Sequence, residues 1–327
     1  MKKIIFLLFL LDQFYCPAQE DKQSRVFKDY IITPNTTVRL VTQERGIELL
    51  SASDIYTGEL SEFDVQVRLQ NAKAKTEADY LKYAGKQVRP WTKEDTSLFR
   101  DIIDFTNIQI KKLNLSFTLP PLIEVIKTTC KEEGDAGGYT RNNIIVMNQK
   151  SVNDFTFIHE LCHILLRNDR ALRDTLYATM GFKKCNKIHY PPMIYEQKLT
   201  NPDAPFMEHY LTVSYQFKRT DVALFIYSDQ PYSSGTLFDY LQIGLLMLKG
   251  GPENKEAIYD DLNKPRILNY EDVQNLFEQI GNNTGYNVHP EELTASHFTI
   301  MMFEKTANLD KPELITKMHD ILSAWKK

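Results

Sequence analysis

Residues 155–166 read FTFIHELCHILL, and inside this apolar run His159, Glu160 and His163 spell HExxH. Helical geometry stacks residues four apart on one face, so imidazoles at 159 and 163 can chelate one metal ion while Glu160 lies beside a metal-bound water. Phe155, Phe157, Ile158, Leu161, Cys162, Ile164, Leu165 and Leu166 leave almost no polar face, which predicts a helix buried all round. A carboxylate and two imidazoles in such a helix need dedicated partners. The pattern predicts a Zn²⁺ site for metal-assisted hydrolysis. The plainer alternative is a core helix whose histidines are hydrogen-bonded and whose glutamate meets a cation.

Upstream of this helix, Leu122 to Thr129 reads as a strand and residues 142–148 (NNIIVMN) as another, joined by a turn containing Gly134, Gly137 and Gly138. Ser151 or Asn153 is the candidate N-cap. Leu98, Ile102, Phe105 and Ile108 are spaced for one face of an earlier helix, with Thr92 as its cap and Pro120 and Pro121 barring continuation. A strand entering just before an HExxH helix can place an open sheet edge beside the metal, where an extended peptide adds as one more strand.

Further out, Phe63, Val65, Val67 and Leu69 alternate with Asp64, Gln66 and Arg68, the period of a strand with one wet face. With Ile31, Val38, Leu40 and Ile47 to Leu50 as partners, residues 19–90 read as a β-rich N-terminal region. Beyond the metal helix, Ala171 to Met180 reads as a helix stopped by Gly181. The runs Leu211 to Phe217, Val222 to Tyr227 and Leu237 to Leu248 make a β-containing insertion around 185–265. Helices follow at Glu271 to Ile280, Pro290 to Phe303 and Pro312 to Trp325. The fold class is α+β.

Catalytic zinc takes three protein ligands plus water, so a third is needed. The main candidate is Glu292 in NVHPEELTASHF, because Pro290 suits the first helical position and puts Glu291 and Glu292 in a first turn. Acids there also serve simply as helix starters. Asp169 stands ten residues after His159, and Asp239 closes GTLFD (Gly235 to Asp239); with Glu291, His209 and His297 they remain rivals.

The HELCH helix followed by HPEELTASHF resembles the gluzincin branch of the zincin metallopeptidases, in which a glutamate on a later helix completes a His, His, Glu zinc site. It is more closely similar to bacterial zincin-like proteins that pair HExxH with a later HPEE segment, and more distantly to the catalytic domain of anthrax lethal factor. Matching on Ala295 and Phe298 puts the ligand on Glu292, and the resemblance covers residues 155–305. It implies a zincin-like domain over 91–327, with the HExxH helix packed on a small mixed sheet and helices at the C-terminal end. It also implies a zinc metallopeptidase acting on a peptide or protein substrate, with Glu160 as the proton acceptor. Tyr286, six residues before Glu292, is the implied oxyanion donor, with His209 as an alternative. The family pattern often carries a second acid one turn after the ligand, where this chain has Ser296. The competing implication is a catalytically inactive zincin-fold binding module that retains zinc.

A net charge of −4 without a basic stripe argues against nucleic acid or an anionic membrane as partner. Lys2 and Lys3 precede the apolar stretch Ile4 to Leu11, followed by Cys16, Pro17 and Ala18, the layout of a signal peptide over residues 1–18. The apolar stretch is too short for a transmembrane helix, so the mature chain is expected to have none and to be exported, periplasmic or secreted. Cys16 is alternatively a lipid anchor. Of the remaining cysteines, Cys130 and Cys185 are the pair free to join, since Cys162 lies in the metal helix.

Overall fold

The computed structural model describes residues 25–326, so the signal peptide and the lipid anchor at Cys16 lie outside the described residues. The chain starts as a hairpin of β1 (Val26–Thr33) and β2 (Thr36–Val41). Three helices follow, α1 (Gln43–Leu50), α2 (Glu62–Leu69) and α3 (Glu77–Gln87), then the two-residue strand β3 (Val88–Arg89) and the long helix α4 (Lys93–Lys112). β4 (Leu122–Thr128), β5 (Gly138–Arg141) and β6 (Ile144–Asn148) complete a mixed sheet ordered β1-β2-β4-β6-β5, with β3 paired to β4. β2, β4 and β6 are mutually parallel, and β5 is an antiparallel edge strand.

The HExxH helix α5 (Asp154–Asn168) starts where Asn153 accepts a bond from the Thr156 N–H at 2.9 Å. It packs on the face of the first sheet that carries Ile145 and Met147, together with Phe99, Ile102 and Ile103 of α4. Phe99 meets Phe157 edge to face, and so α4 is rotated from the expected face: Leu98 and Ile108 are 43% and 61% exposed. The opposite sheet face, with Ile126, Tyr139 and Val146, is covered by α1 and α3.

After α6 (Arg170–Ala178) comes a second, antiparallel sheet. It comprises β7 (Lys183–Ile188), β8 (Met207–Tyr215), β9 (Lys218–Tyr227), β10 (Gln242–Lys249), β11 (Glu256–Ala257) and β12 (Ile267–Leu268), with the short helix α7 (Pro192–Tyr195) after β7. This sheet occupies the segment expected as an insertion, and Leu211, Val222 and Leu245 join it to the main core. The chain ends with α8 (Leu276–Ile280), α9 (Pro290–Met302) and α10 (Pro312–Ala324). The fold class is α+β, as expected. No helix of the described residues is long and apolar enough to cross a membrane.

Further expectations are corrected. Residues 43–87 are helical rather than β-rich, and the Phe63 to Leu69 stretch is α2, because Ser61 and Asp64 form a capping box at its start. Asp64 and Arg68, taken for a wet strand face, are instead a buried i, i+4 ion pair at 2.7 Å. Glu271 to Ile280 is helical only from Leu276, with a single 3₁₀ turn before it. Cys130, Cys162 and Cys185 are free buried thiols, Cys130 and Cys185 lying in separate apolar clusters.

Asp64 is 0% exposed and anchors a polar network. Its carboxylate accepts from the Thr200 N–H at 2.8 Å and hydroxyl at 2.7 Å and pairs with Lys198 at 3.3 Å. Arg68 adds bonds to Glu133 at 2.9 Å and to the Thr200 carbonyl at 2.6 Å. Burial pushes the Asp64 carboxyl up, but Lys198, Arg68 and the N–H groups of Thr200 and Ser61 prevail and bring it down to about 2. A carboxyl depressed on folding contributes stability that is present above its ordinary value of 3.8 and lost as pH falls toward 2. Asp64→Ala leaves the buried Lys198 ammonium without a carboxylate and Arg68 with Glu133 alone, and is expected to cost about 3–5 kcal/mol. A urea midpoint at neutral pH within about 0.5 kcal/mol of wild type, taken at unchanged slope, would refute this.

Candidate functional site

Helix α5 presents His159 and His163 one turn apart, their ring centroids 4.8 Å from each other. Across from them α9 begins at His289, whose Nδ1 accepts from the Glu291 N–H at 3.1 Å, with Pro290 in the first turn. This directs Glu292 at the histidines: its Oε2 lies 3.2 Å from His159 Nε2 and 3.6 Å from His163 Nε2. The ligand atoms of His159, His163 and Glu292 all fall within 4.8 Å of one another, a group able to hold a metal ion.

A metal fits these residues on structural grounds. His163 is 0% exposed, yet among the described residues its Nε2 is a buried polar atom without a hydrogen-bond partner, as is Glu160 Oε2. Leaving such atoms unpartnered costs about 1–3 kcal/mol each, which a cation between the rings would offset for His163. Two imidazoles and one carboxylate are a donor set that suits a divalent metal such as zinc.

The partners around this group are as specific as the ligands. Glu291 faces the other side of the His163 ring, its Oε1 3.0 Å from Nδ1, while Tyr177 donates its hydroxyl to Glu291 Oε2. An acceptor on Nδ1 holds the proton there and leaves the Nε2 lone pair for a metal. Glu291 is thus an orienting group rather than a third ligand. Ser296, one turn after Glu292, offers no acid, and Glu291 makes this contact to His163 instead. Asn201, unmarked in the sequence, donates to Glu292 Oε1 at 2.7 Å and fixes that carboxylate with Oε2 toward the histidines. Without metal, burial alone would push His163 down, but Asp203, Glu292 and Glu291 hold it well above the usual imidazole range. Glu292 is burdened by burial and yet held well below the usual carboxyl range by His163 and His159.

Glu160 sits at the cleft end of α5. Burial and the Asp203 carboxylate push it well above the usual carboxyl range, against the pull of His163. Gly138 of β5 passes so close that a Cβ there would lie 2.8 Å from Glu160 Oε1 and 3.0 Å from the Val146 carbonyl. The cleft itself measures about 340 Å³ and runs from His159, Glu160 and Glu292 past Gly138 to the apolar walls Leu199, Ile226 and Leu237. Tyr286 lines it, 42% exposed, with Phe155 and Phe238 also half-exposed. Asp203, from the NPDAP loop, was likewise missed by the sequence reading, and the prolines flanking it were the only hint.

The rival ligands are engaged elsewhere. Asp169 caps α6 through the Leu172 N–H at 3.1 Å and accepts from the Trp325 indole at 2.9 Å. Asp239 closes a capping box with Thr236 in an exposed turn. His209 pairs with Asp174 at 3.0 Å, and burial together with Arg173 draws it down to about 4. His297 lies against the Asn283 amide at 3.4 Å. No protein-family model, no curated protein and no solved structure matches the chain.

Two outcomes follow from the supporting residues. Asn201→Ala frees Glu292 Oε1 and is expected to weaken any metal binding at this group about 10–100-fold in a chelator competition, with unfolding of the metal-free protein little changed. Gly138→Ala forces β5 away from Glu160 and is expected to destabilise by about 1–3 kcal/mol, read by denaturant unfolding; a neutral result would show that the strand yields freely.

Proposed function

We propose that this protein is an exported zinc-dependent peptide hydrolase of the gluzincin type. The observation that carries the reading is the convergence of His159, His163 and Glu292 within 4.8 Å, with a buried, unpartnered Nε2 on His163 and Glu160 alongside. A purely structural zinc site would have no use for Glu160, which is 3% exposed, has one oxygen without a partner and lines the cleft. Export rests on the composition of residues 1–18 alone.

Zinc bound there would act as a Lewis acid that acidifies water and polarises the scissile carbonyl. His159, His163 and Glu292 would hold it, with Glu291 keeping the His163 proton on Nδ1 and Asn201 keeping Glu292 oriented. Glu160 takes a proton from the attacking water and delivers it to the leaving amine. Tyr286, on the wall of the same cleft, is the group assigned to donate to the carbonyl oxygen as it gains charge. The peptide lies extended along the outward side of β5, the open edge of the first sheet.

The decisive comparison is of three variants in metal analysis and a peptide-library cleavage assay. Glu160→Gln is expected to keep one zinc per chain and lose at least about 100-fold in turnover, whereas His159→Ala and Glu292→Ala lose the metal and the activity together. Undiminished turnover by Glu160→Gln removes Glu160 from the mechanism. Tightly held zinc in Glu292→Ala, with loss in Asp239→Ala, overturns the gluzincin assignment.

A further inference from the structure

The edge that a peptide would use is short. In an antiparallel pair alternate residues turn their backbone groups toward the partner strand and away from it. Asn148 donates its N–H to the Gly137 carbonyl, so Gly137, Tyr139 and Arg141 address β6 while Gly138 and Thr140 face outward. The outward N–H of Thr140 is already taken: it donates to Asp203 Oδ1 at 2.8 Å, as does the Thr140 hydroxyl. Only the Gly138 position remains for an incoming strand before Asp203 stops it.

Asp203 belongs to a fixed strap. Its N–H donates to Asn201 Oδ1 at 2.8 Å, its carbonyl accepts from Arg167 at 3.2 Å, and Thr200, three residues earlier, is bound through N–H, hydroxyl and carbonyl to Asp64 and Arg68. The Asp203 carboxylate also comes within 4.8 Å of ligand atoms of both Glu160 and His163. A residue advances a strand by about 3.3 Å. Between the groups that act on the scissile bond and the carboxylate that blocks the edge there is room for one substrate residue. The blocked end presents the Asp203 carboxylate to the cleft beside Glu160. A free carboxylate terminus would be repelled there and an ammonium attracted.

We propose that Asp203 receives the α-ammonium of the substrate, so that the protein removes single residues from peptides with a free N-terminus. Pairing is then antiparallel to β5, with the substrate's first residue toward Thr140 and the rest of its chain running out past Gly138. Water adds to the carbonyl carbon of residue one, the C–N bond breaks, and the proton passes to the nitrogen of residue two. The products are one amino acid and a peptide shortened by one. This inference rests on the hydrolase reading above and narrows its substrate class.

The test uses the zinc-loaded chain and one octapeptide beginning with leucine, offered with a free or an acetylated N-terminus, with products read by mass spectrometry. The free peptide is expected to lose leucine first and the acetylated one to react at least about 100-fold more slowly. In calorimetry with Glu160→Gln, where no turnover intervenes, the acetylated peptide is expected to bind at least about 10-fold more weakly. Asp203→Asn, which keeps an acceptor for Thr140, is expected to raise KM for the free peptide at least about 10-fold, a larger change than in kcat, with zinc content at the wild-type level. Equal cleavage or equal binding of the two peptides, internal cleavage, or loss of zinc in Asp203→Asn overturns the inference and leaves the hydrolase reading standing. No cleavage of either peptide, and none across a broad library, removes the hydrolase reading and this inference with it.

Discussion

Helix α5 is buried on nearly every side, and that burial constrains everything around it. Ionisable groups in such a helix cost several kcal/mol each unless something pairs with them, and α5 contains two histidines and a glutamate. The neighbours are built to that demand. The α9 helix enters with two adjacent carboxylates, one for each side of the His163 ring, and Tyr177 of α6 satisfies the carboxylate oxygen that His163 does not use. Among the described residues of the site, His163 Nε2 and Glu160 Oε2 are left without a hydrogen bond, the atoms that a metal and its water would engage.

The same logic links distant parts of the chain. Arg68 and Asp64 come from α2, yet their buried charges are satisfied by residues 198–200, and the following residues of that strap reach Glu292 and β5. The N-terminal helices are therefore part of the site's support rather than an appended module. The β1–β2 hairpin is integral as well, since β2 pairs in parallel with β4 in the sheet that carries α5.

How much of this was legible depends on how local the cause is. HExxH, the Asn153 cap and the Pro290 start of α9 are each decided within a turn of helix, and α5 and α9 follow from them. The α2 stretch imitates a strand although Ser61 and Asp64 spell its capping box, because period-two alternation over seven residues looks like a wet-faced strand when the polar members are buried by ion pairing. Leu98 and Ile108 were assigned to a buried face that lies toward solvent, since Phe99 and Ile103 fit the core equally well and contact with Phe157 decided between them.

The sequence by itself determined that a helix able to chelate exists, that it is buried, and that an acidic helix start downstream could serve it, because residue spacing alone dictates which side chains share a helical face. Only the tertiary structure decided which of two neighbouring glutamates faces the Nε2 atoms of both histidines and which the Nδ1 of His163. Adjacent helical residues differ by about 100° in direction, and the rotation of α9 is set by packing against α5, not by its own letters. It alone supplied Asn201, 91 residues from the carboxylate it holds, and Asp203, which closes the edge of β5. Loop residues carry no periodicity, and their role comes from the buried charges of Asp64 and Arg68 that pin the strap in place.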